Sequence, residues 1–462
     1  MTEHSESLDR NLLADEDGSR GSSSSYPATR SPRSLSPTVA KMKASFQGGD
    51  EAVQTHSRFF TVLLLVNYMV GSGVLNQPQV FSEAGILSTT VMYIVAGFAT
   101  WYGAVILVTC SGCRLLNLPD ERLDYCEVGS ATYGRGGRLA VDAAIIFANY
   151  GACMTYVLLI GSTCSQLLES WTGSTGPLTS FNFLAPAVTA LFVLPICCLR
   201  HFTSLHFHAV IGVSSVLACL LLVVGLGPSV GKNNHEAIVW FDGKQTVQKF
   251  GSVSFSMSMA AAAFHAYRGL SPRTLDSWKK TVAGAIAAGG TICYVTGLCG
   301  YLSFRSATEG NILNNFEGPV AEVAKILLVL HLICFMPNEF IVMRHSLFSI
   351  LGLDALEAST PTVLATTFAL LLSLVGACLG LNDTGLSEGQ TFGYILDLTG
   401  GIMCGLAAFV FPGLFFRHLA AGKKDSSMRT DKLLCAFLAA FGIISGAAVL
   451  VTTALELDGL DL

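Results

Sequence analysis

Eleven long apolar blocks dominate this chain of 462 residues. Each block contains about 17–28 mostly apolar residues, which as a helix is long enough to cross roughly 30 Å of hydrocarbon. Only 13% of the residues are charged, against 51% that are hydrophobic, and the charges lie mainly between the blocks. Because a helix satisfies its own backbone hydrogen bonds in lipid, this pattern predicts an all-α polytopic membrane protein with 11 transmembrane helices.

The predicted membrane domain covers residues 58–455, and the remainder forms two tails. Its spans are predicted at 59–82, 86–111, 139–168, 183–199, 207–227, 249–267, 279–304, 319–338, 361–381, 390–416 and 432–455. Residues 1–57 are serine-rich and too poor in apolar residues to order themselves, so we expect a disordered cytoplasmic tail. Residues 456–462 would form a short extracytoplasmic tail.

The distribution of basic residues predicts the orientation of the chain. With the N-terminus in the cytoplasm, 18 lysines and arginines fall in inner loops and flanks, and four fall in outer loops. Basic residues accumulate on the cytoplasmic side of membrane proteins, so we expect an N-in, C-out topology. The formal charge of −5 argues against a nucleic-acid partner.

The first residues lack the apolar core of a signal peptide, so the first span is expected to direct membrane insertion. Within the tail, Leu12 and Leu13 lie among acidic residues and resemble a dileucine sorting signal. That resemblance favours a vacuolar, lysosomal or endosomal membrane, with the plasma membrane as the alternative.

The 14 cysteines lie almost entirely within or beside the apolar blocks, so no disulfide framework is expected. Neither the Cys110–Cys113 motif nor the Cys197–Cys198 pair has partners at zinc spacing, so we expect no metal site. We also find no nucleophile and base at useful spacing. The sequence therefore predicts neither an enzyme nor a cofactor.

The first span contains Gly71, Ser72, Gly73 and Pro78 in its middle and outer half. In a helix, glycine costs about 1 kcal/mol and proline about 3 kcal/mol relative to alanine. An unwound segment is tolerated in a membrane only where it lines a cavity, and there its free amides can bind a carboxylate. We therefore interpret Gly71–Gly73 as a helix break that binds an anionic group. The alternative is a small-residue face between packed helices.

The sixth span should be broken as well if the chain is an inverted repeat. Residues 250–267 are rich in serine and alanine and weakly apolar for a span, which suits a discontinuous helix. A helix packed closely against its neighbours would have a similar composition.

Six segments in order along the chain resemble the amino acid/auxin permease family. The first is Asn67-x-x-x-Gly71-Ser72-Gly73-x-Leu75 with Pro78-x-x-Phe81-x-x-Ala84-Gly85. The others are Tyr125-x-Glu127-x-Gly129 with Tyr133-Gly134-Arg135, Tyr294-x-x-Gly297-x-x-Gly300-Tyr301, Asn311-Ile312-Leu313-x-Asn315, Pro337 with Arg344, and Gly400-x-x-x-Cys404 with Phe409-x-Phe411-Pro412.

The resemblance implies a LeuT-like architecture of two five-helix inverted repeats plus an eleventh helix, with helices 1 and 6 broken. It implies an amino-acid substrate whose α-carboxylate meets the backbone amides of Gly71, Ser72 and Gly73. Residues of the sixth span would receive the amino group and shape the side-chain pocket; these are Phe255, Ser256, Ser258 and Met259. The chain departs from the family at Ala260, where the family often has a histidine.

The coupling ion is predicted from the first, eighth and tenth spans. Sodium-coupled members of the family pair an asparagine, here Asn67, with a hydroxyl shortly before the proline of the eighth span. The segment His331–Pro337 contains no serine or threonine, and sodium prefers oxygen ligands, so sodium coupling is disfavoured. Candidates for the coupling-ion site are Asn67, His331 and Asp397, followed by His265, Asp142 and Glu339, for which pairing with Arg344 is the alternative.

These observations predict a monomeric secondary active transporter of neutral amino acids in the lipid bilayer. It would work by alternating access as a proton-coupled symporter. The alternatives are an amino-acid sensor that signals through its N-terminal tail, and a sodium-coupled or facilitative carrier. A channel is disfavoured because no filter motif is present.

Overall fold

The computed structural model describes residues 56–112, 115–119, 123–199, 205–230, 236–353, 358–421, 423 and 428–457. Of the two tails expected from the sequence, residues 1–55 and 458–462 lie outside the described residues. Strand structure among the described residues is limited to β1 (His56–Ser57) and β2 (Leu270–Ser271). They pair in parallel with His56 opposite Leu270.

Helices make up the rest of the regular structure. The first seven are α1 (Arg58–Val70), α2 (Gln77–Ala84), α3 (Ile86–Ser111), α4 (Tyr125–Thr172), α5 (Phe181–Val188), α6 (Leu194–Cys197) and α7 (Leu205–Val230). The remaining eight are α8 (Gly243–Ser256), α9 (Ala263–Gly269), α10 (Leu275–Phe304), α11 (Pro319–Leu351), α12 (Thr360–Asn382), α13 (Glu388–Leu398), α14 (Phe411–Ala420) and α15 (Met428–Leu457). Short 3₁₀ turns occur at Ser72–Asn76, Arg305–Ala307 and Ile312–Asn315, and π-helical turns at Thr189–Val193, Thr399–Cys404 and Leu406–Val410.

Seven helices in the described part of the chain are long and apolar enough to cross a membrane. Large apolar side chains point away from the bundle on several of them, among them Ile94 on α3, Leu372 on α12 and Phe437 on α15. Outward apolar faces of this kind are stable against lipid rather than water. The chain is an integral multi-pass membrane protein.

Local chemistry explains where the first helices begin and end. The Ser57 side chain caps α1 by accepting a hydrogen bond from the Phe60 amide. At the end of α2, Gly85 has a φ of +87°, and a Cβ there would lie 2.6 Å from the backbone of Trp240 and Phe241. Only glycine fits this turn, which ties the α2–α3 corner to the segment that leads into α8.

The long helix α4 is two helical segments joined at Tyr133 and Gly134, where Gly134 has a φ of +63°. A Cβ on Gly137 would overlap the backbone of Gly129, so the two segments are in close backbone contact around the kink. The segment before the kink contains Cys126 and Glu127, which lie near the start of the main part of α4.

The centre of the bundle is formed where α1, α4 and α11 meet. The helices α4 and α11 pack along each other, while α10 packs against α1, α2 and α3. The Phe335 ring of α11 lies edge-on to Tyr68 of α1 at 6.4 Å and to Tyr156 of α4 at 6.1 Å between centroids. These aromatic contacts fix α11 next to the point where α1 ends.

Candidate functional site

The first helical segment is interrupted at Gly71. Helix α1 ends at Val70, Gly71 has φ −23° and ψ −146°, and the 3₁₀ turn Ser72–Asn76 follows. The segments on the two sides of Gly71 are bent by 52°. All five residues of the 3₁₀ turn are buried. Because the first amides of a helical turn have no partner one turn earlier, this point provides buried backbone donors.

Side chains of neighbouring helices hold the interruption in place. The Ser72 hydroxyl lies 3.1 Å from the hydroxyl of Thr155 on α4. The Gln77 side-chain amide donates to the Gly73 carbonyl at 3.0 Å and to the Ser256 hydroxyl at 2.8 Å, and accepts from Tyr93 at 2.6 Å. Gln77 therefore fixes both the irregular backbone and the end of α8.

A second interruption separates α8 from α9. Helix α8 ends at Ser256, and α9 starts at Ala263. The six residues between them form tight turns, in which the Ser258 amide donates to the Phe255 carbonyl and the Ala262 amide to the Met259 carbonyl, both at 3.1 Å. The backbone of the sixth apolar block is therefore irregular at its middle.

The two interruptions touch each other. A Cβ on Gly73 would lie 2.5 Å from the Ser256 hydroxyl oxygen and 3.1 Å from the Phe255 ring. A side chain at position 73 would therefore displace the end of α8. The structure brings together five of the residues expected to bind substrate, namely Gly71, Ser72, Gly73, Phe255 and Ser256.

The two other residues expected to bind substrate lie beyond this junction. The Ser258 side chain interacts with the thiol of Cys404 in the π-helical turn after α13. Met259 is buried and lines a small cleft together with Gly103 of α3 and Pro412 of α14. The structure thus places Ser258 and Met259 toward the α3 and α14 side of the second interruption.

Aromatic side chains border the first interruption. The Tyr156 hydroxyl lies 3.7 Å from the position that a Cβ on Gly71 would occupy. The His331 ring stacks on Phe335 with centroids 5.2 Å apart, and Phe335 contacts both Tyr68 and Tyr156. The Phe335 ring therefore lies between His331 and the tyrosines that border the interruption. Asn67 is half-buried on α1, one helical turn before Gly71.

Asp397, the third residue proposed for ion coupling, lies in a buried group of charges. The Lys249 ammonium is 2.9 Å from the Asp397 carboxylate and 3.0 Å from that of Glu83. Ser252 donates its hydroxyl at 2.5 Å and its amide at 3.2 Å to the other Asp397 oxygen. Lys249 is 2% exposed and Asp397 is fully buried. We call these four residues, Lys249, Asp397, Glu83 and Ser252, the Lys249 cluster; it joins α2, α8 and α13.

Close backbone packing positions the Lys249 cluster. A Cβ on Gly251 would overlap the Asp397 backbone, and a Cβ on Gly400 would overlap the Gly251 carbonyl. Glycine at these positions therefore lets the backbone of helix α8 lie directly against the backbone at the end of α13, as small residues allow in membrane bundles. This approach brings Ser252 and Lys249 within reach of Asp397.

A second polar group, the Asp142 cluster, lies near the other end of α3. Asp142 accepts hydrogen bonds from Cys126 at 3.2 Å and from Ser349 of α11 at 2.8 Å. Arg138, whose side chain is 34% exposed, lies 3.8 Å from Asp142 and 3.7 Å from Glu127. The cluster consists of these five residues, Asp142, Cys126, Ser349, Arg138 and Glu127, and joins the two segments of α4 to α11.

Arg344 is buried on α11 and pairs with backbone rather than with Glu339. Its guanidinium donates to the Cys197 carbonyl at 2.6 Å, the Thr367 hydroxyl at 2.7 Å and the Leu199 carbonyl at 2.8 Å. It therefore satisfies carbonyls at the end of α6 and links that end to α12.

Sequence reasoning missed Lys249, Glu83 and Gln77. Lys249 was counted as a loop residue on the outer side, although it begins the sixth apolar block and an aspartate lies within the tenth. A charge inside an apolar block was the available signal, because such a residue usually finds a partner of opposite charge. For Gln77 the signal was an amide directly after the glycine pair.

Two interrupted helical segments that meet inside a membrane bundle define a class of secondary transporter in which irregular backbone contacts a small solute. Comparison with solved structures supports the fold. The structure of MhsT in complex with L-phenylalanine superimposes with a TM-score of 0.55 at 14% identity, covering 87% of this chain and 99% of that one. The fold is LeuT-like.

The family is shown by the sequence itself. Residues 54–454 match the model of the transmembrane amino acid transporter protein family, so the chain belongs to that family. The putative sodium-coupled neutral amino acid transporter 11 of Mus musculus is 22% identical over 420 residues, which cover 88% of this chain and 87% of that protein. The vacuolar amino acid transporter 2 of Saccharomyces cerevisiae is 23% identical over 390 residues, covering 80% and 78%. The chain is an amino acid transporter and not an enzyme.

Proposed function

We propose that this chain is a proton-coupled symporter of neutral amino acids that works by alternating access. The observation that carries the proposal is the contact between the two interruptions, where Gly73 lies against Ser256 and Phe255. Irregular backbone inside a membrane bundle is stable where it is buried in protein or lines a cavity, and in transporters with broken helices it contacts the solute.

The proposed architecture is the 11-span inverted repeat expected from the sequence, with helices 1 and 6 broken. The seven long helices supply spans 2, 3, 7, 8, 9, 10 and 11. The bent pair around Gly71 supplies span 1, the shorter apolar segments Phe181–Cys197 and Leu217–Val230 belong to spans 4 and 5, and α8 with α9 forms span 6. Spans 1 and 6 then stand at equivalent positions in the two five-helix halves.

The proposed substrate site lies between the two breaks. The amides that begin the 3₁₀ turn at Gly71, Ser72 and Gly73 would bind the α-carboxylate, as helix N-termini bind anions. The carbonyls that end α8, around Phe255 and Ser256, would receive the amino group. Ser258 and Met259 would shape the far side of the pocket. The aromatic rings of Tyr68, Tyr156 and Phe335 would favour neutral side chains.

Substitution at the breaks tests this site. Gly73→Val should abolish uptake, because its side chain would occupy the space of the Ser256 hydroxyl, and Gly71→Val should do the same through its contact with Tyr156. Gly376→Val on α12 is the matched control, since a Cβ there meets nothing within 4 Å. Uptake is measured in proteoliposomes, together with the amount of folded protein in the membrane. Normal uptake by folded Gly73→Val would rule out the site.

The coupling ion is proposed to be the proton rather than sodium. The segment before Pro337 offers Cys334 and Met336 where a sodium ion would need oxygen ligands. The name of the mouse relative points to sodium, so the experiment compares both ions directly. We expect uptake to rise with an inward proton gradient and to be unchanged when choline replaces sodium. Loss of uptake in choline at constant pH would overturn proton coupling.

The N-terminus is proposed to lie in the cytoplasm and the C-terminus on the other side, as the basic residues indicate. The vacuolar relative from yeast and the dileucine motif support an acidified endomembrane compartment, where a proton gradient is available. Glycosylation tests the orientation, because the acceptor sequon Asn382-Asp383-Thr384 would then face the lumen or exterior. The protein is proposed to act as a monomer. A sensor that uses the N-terminal tail would bind amino acids without flux, so the uptake assay separates the two functions.

A further inference from the structure

One carboxyl group in the middle of the bundle has no role in the site described so far. Glu339 is half-buried on α11, two residues after Pro337. One helical turn earlier on α11, the Phe335 ring packs edge-on against Tyr68 of α1 and Tyr156 of α4, with centroids 6.4 and 6.1 Å apart. The part of α11 that carries Glu339 is therefore held against both α1 and α4.

Tyr156 connects this carboxyl to the first interruption. Its hydroxyl lies 3.7 Å from the Cβ position of Gly71, and its ring packs against Phe335, four residues before Glu339 on the same helix. Tyr156 therefore lies between the part of α11 that carries Glu339 and the backbone amides that are proposed to bind the substrate carboxylate.

The carboxyl of Glu339 has no countercharge among the described residues. It forms neither a hydrogen bond nor an ion pair there, and no other charged group in the described chain acts on it. Arg344, five residues further along α11, donates to Cys197, Leu199 and Thr367 instead. By contrast, Asp397 has Lys249, and Asp142 has Ser349, Cys126 and Arg138.

An ionised carboxylate is very unfavourable inside a membrane bundle when no cation is beside it. A bound proton or a cation taken from solution would therefore stabilise Glu339. A sodium ion prefers several oxygen ligands, whereas the residues just before Glu339 on the same helix include Cys334, Met336 and Pro337, whose side chains offer sulfur or no ligand atom. A proton needs no coordination shell. The surroundings of Glu339 therefore suit protonation and suit a bound metal cation poorly.

We propose that Glu339 is the site at which the transported proton binds. This inference rests on the proposed function as a proton-coupled amino acid transporter. On the side from which substrate enters, the Glu339 carboxylate takes up one proton and becomes a neutral carboxylic acid as the amino acid occupies the breaks. On the other side the amino acid and the proton leave, and the carboxylate is restored. Because a neutral amino acid is a zwitterion without net charge, each cycle moves one positive charge.

The main test uses Glu339→Gln in proteoliposomes supplied with radiolabelled alanine, glutamine, leucine and phenylalanine. Glutamine keeps the size of the side chain but cannot exchange a proton. We expect Glu339→Gln to lose accumulation driven by an inward proton gradient while it retains counterflow, the exchange of labelled for unlabelled amino acid at equal pH on both sides. Glu322→Gln is the matched control, since Glu322 is in the first turn of the same helix and its carboxylate accepts hydrogen bonds from the exposed Ser170 and Trp171. It should behave as the wild type.

A second measurement does not depend on turnover. Purified protein in weakly buffered detergent should take up protons when the amino acids are added, as detected by a pH-sensitive dye. The wild type and Glu322→Gln should show this uptake, and Glu339→Gln should not. If Glu339→Gln fails to fold, Glu339→Asp tests the assignment instead. Aspartate retains a titratable carboxyl group, so this variant should retain gradient-driven accumulation.

The possible failures are distinguishable. Accumulation by Glu339→Gln under a proton gradient, or proton uptake by that variant on substrate addition, would overturn the assignment of Glu339 alone. A folded Glu339→Asp variant with intact counterflow but no gradient response would overturn it as well. A wild-type protein that carries amino acids but ignores the proton gradient would overturn proton coupling and the Glu339 site together.

Discussion

The Lys249 cluster and the Asp142 cluster hold the two ends of the bundle in different ways. Helix α3 has 26 residues, so its ends are about 39 Å apart at a rise of 1.5 Å per residue. Glu83 precedes its start and Asp142 lies near its end. In the Lys249 cluster, an ammonium contacts two carboxylates at 2.9 and 3.0 Å in a buried position. In the Asp142 cluster, neutral donors make the short contacts, and the half-exposed Arg138 is 3.7–3.8 Å from its partners.

This difference indicates which end of the protein is the harder to open. Separating a buried ion pair leaves charges without partners in a low-dielectric environment, which costs about 3–5 kcal/mol. Separating Arg138 from Asp142 costs less, because the guanidinium is partly exposed to water and Ser349 and Cys126 still donate to Asp142. The Lys249 cluster is therefore harder to separate than the Asp142 cluster.

The largest expected effect comes from Lys249→Met. The substitution leaves Asp397 and Glu83 without their cation, and we expect a loss of about 3–5 kcal/mol in the free energy of unfolding. The thermal unfolding of the purified protein in detergent measures it. Lys244→Met is the matched control on the same helix, because Lys244 is exposed. Equal unfolding temperatures for the two variants would show that the buried pair contributes little.

A smaller loss in the free energy of unfolding is expected from Gly400→Ala. This substitution moves two helices apart and leaves the charged side chains in place. The new Cβ would overlap the Gly251 carbonyl, so α8 and α13 must move apart, and overpacking of this kind costs about 1–3 kcal/mol. Gly380→Ala on α12 meets nothing within 4 Å and serves as the control. Because the two sites share one contact, the effects of Gly400→Ala and Lys249→Met should not be additive. Strict additivity in the double variant would contradict the role of the glycine contact.

At the opposite end, Arg138→Gln should have little effect on stability. Its guanidinium is partly exposed and lies 3.7–3.8 Å from its carboxylates, and Ser349 and Cys126 continue to donate to Asp142 without it. The expected loss in the free energy of unfolding is therefore about 1 kcal/mol and should shrink further at high salt. The same unfolding measurement at low and high ionic strength tests it. A loss as large as that of Lys249→Met would remove the contrast between the two ends.

The smallest expected effect is a local one, on the hydrogen bonds of Glu236. This residue lies outside the membrane-spanning helices. Ser306 donates its hydroxyl at 2.5 Å and its amide at 3.1 Å to this carboxylate, and these hydrogen bonds lower the pKa of Glu236 below its ordinary value of 4.5. The contact is therefore fully present above that value and is lost as the pH falls through the lowered pKa.

Hydrogen exchange at the Ser306 amide measures this contact. Glu236→Gln should exchange faster than the wild type at pH 7, and the difference should disappear in acid, once the wild-type carboxyl is protonated too. A difference between the two proteins that stays constant with pH would show that the charge of Glu236 has no part in the contact.

Local sequence was sufficient for much of the fold. Apolar blocks predict helices in lipid because length and hydropathy alone decide whether a segment can span. Glycine acts locally too, and the helix that starts at Arg58 ends beside the glycine pair, at Val70. Helix ends were less well predicted: the seventh block was expected to begin at 279, whereas α10 begins at Leu275, because Thr274 caps it by accepting from the Ser277 amide.

The candidate site was predicted only in part. Gly73 and Ser256 were both named from the chain, yet their contact joins residues 183 positions apart and depends on how α8 crosses the 3₁₀ turn. Gln77 was missed because an amide next to a proline looks like an ordinary helix start until its partners are seen. For Glu339, pairing with Arg344 was the alternative to a role in coupling, but Arg344 donates to the carbonyl oxygens of Cys197 and Leu199 instead.

The sequence by itself determined that this chain is a membrane-embedded amino acid transporter, since hydropathy and short motifs are properties of short segments. Only the tertiary structure decided which charges are neutralised. Lys249 and Asp397 are 148 residues apart, and they meet because two glycines let their helices touch. Glu339 is left without a countercharge for the same kind of reason, because pairing depends on distances in space that the order of residues does not contain.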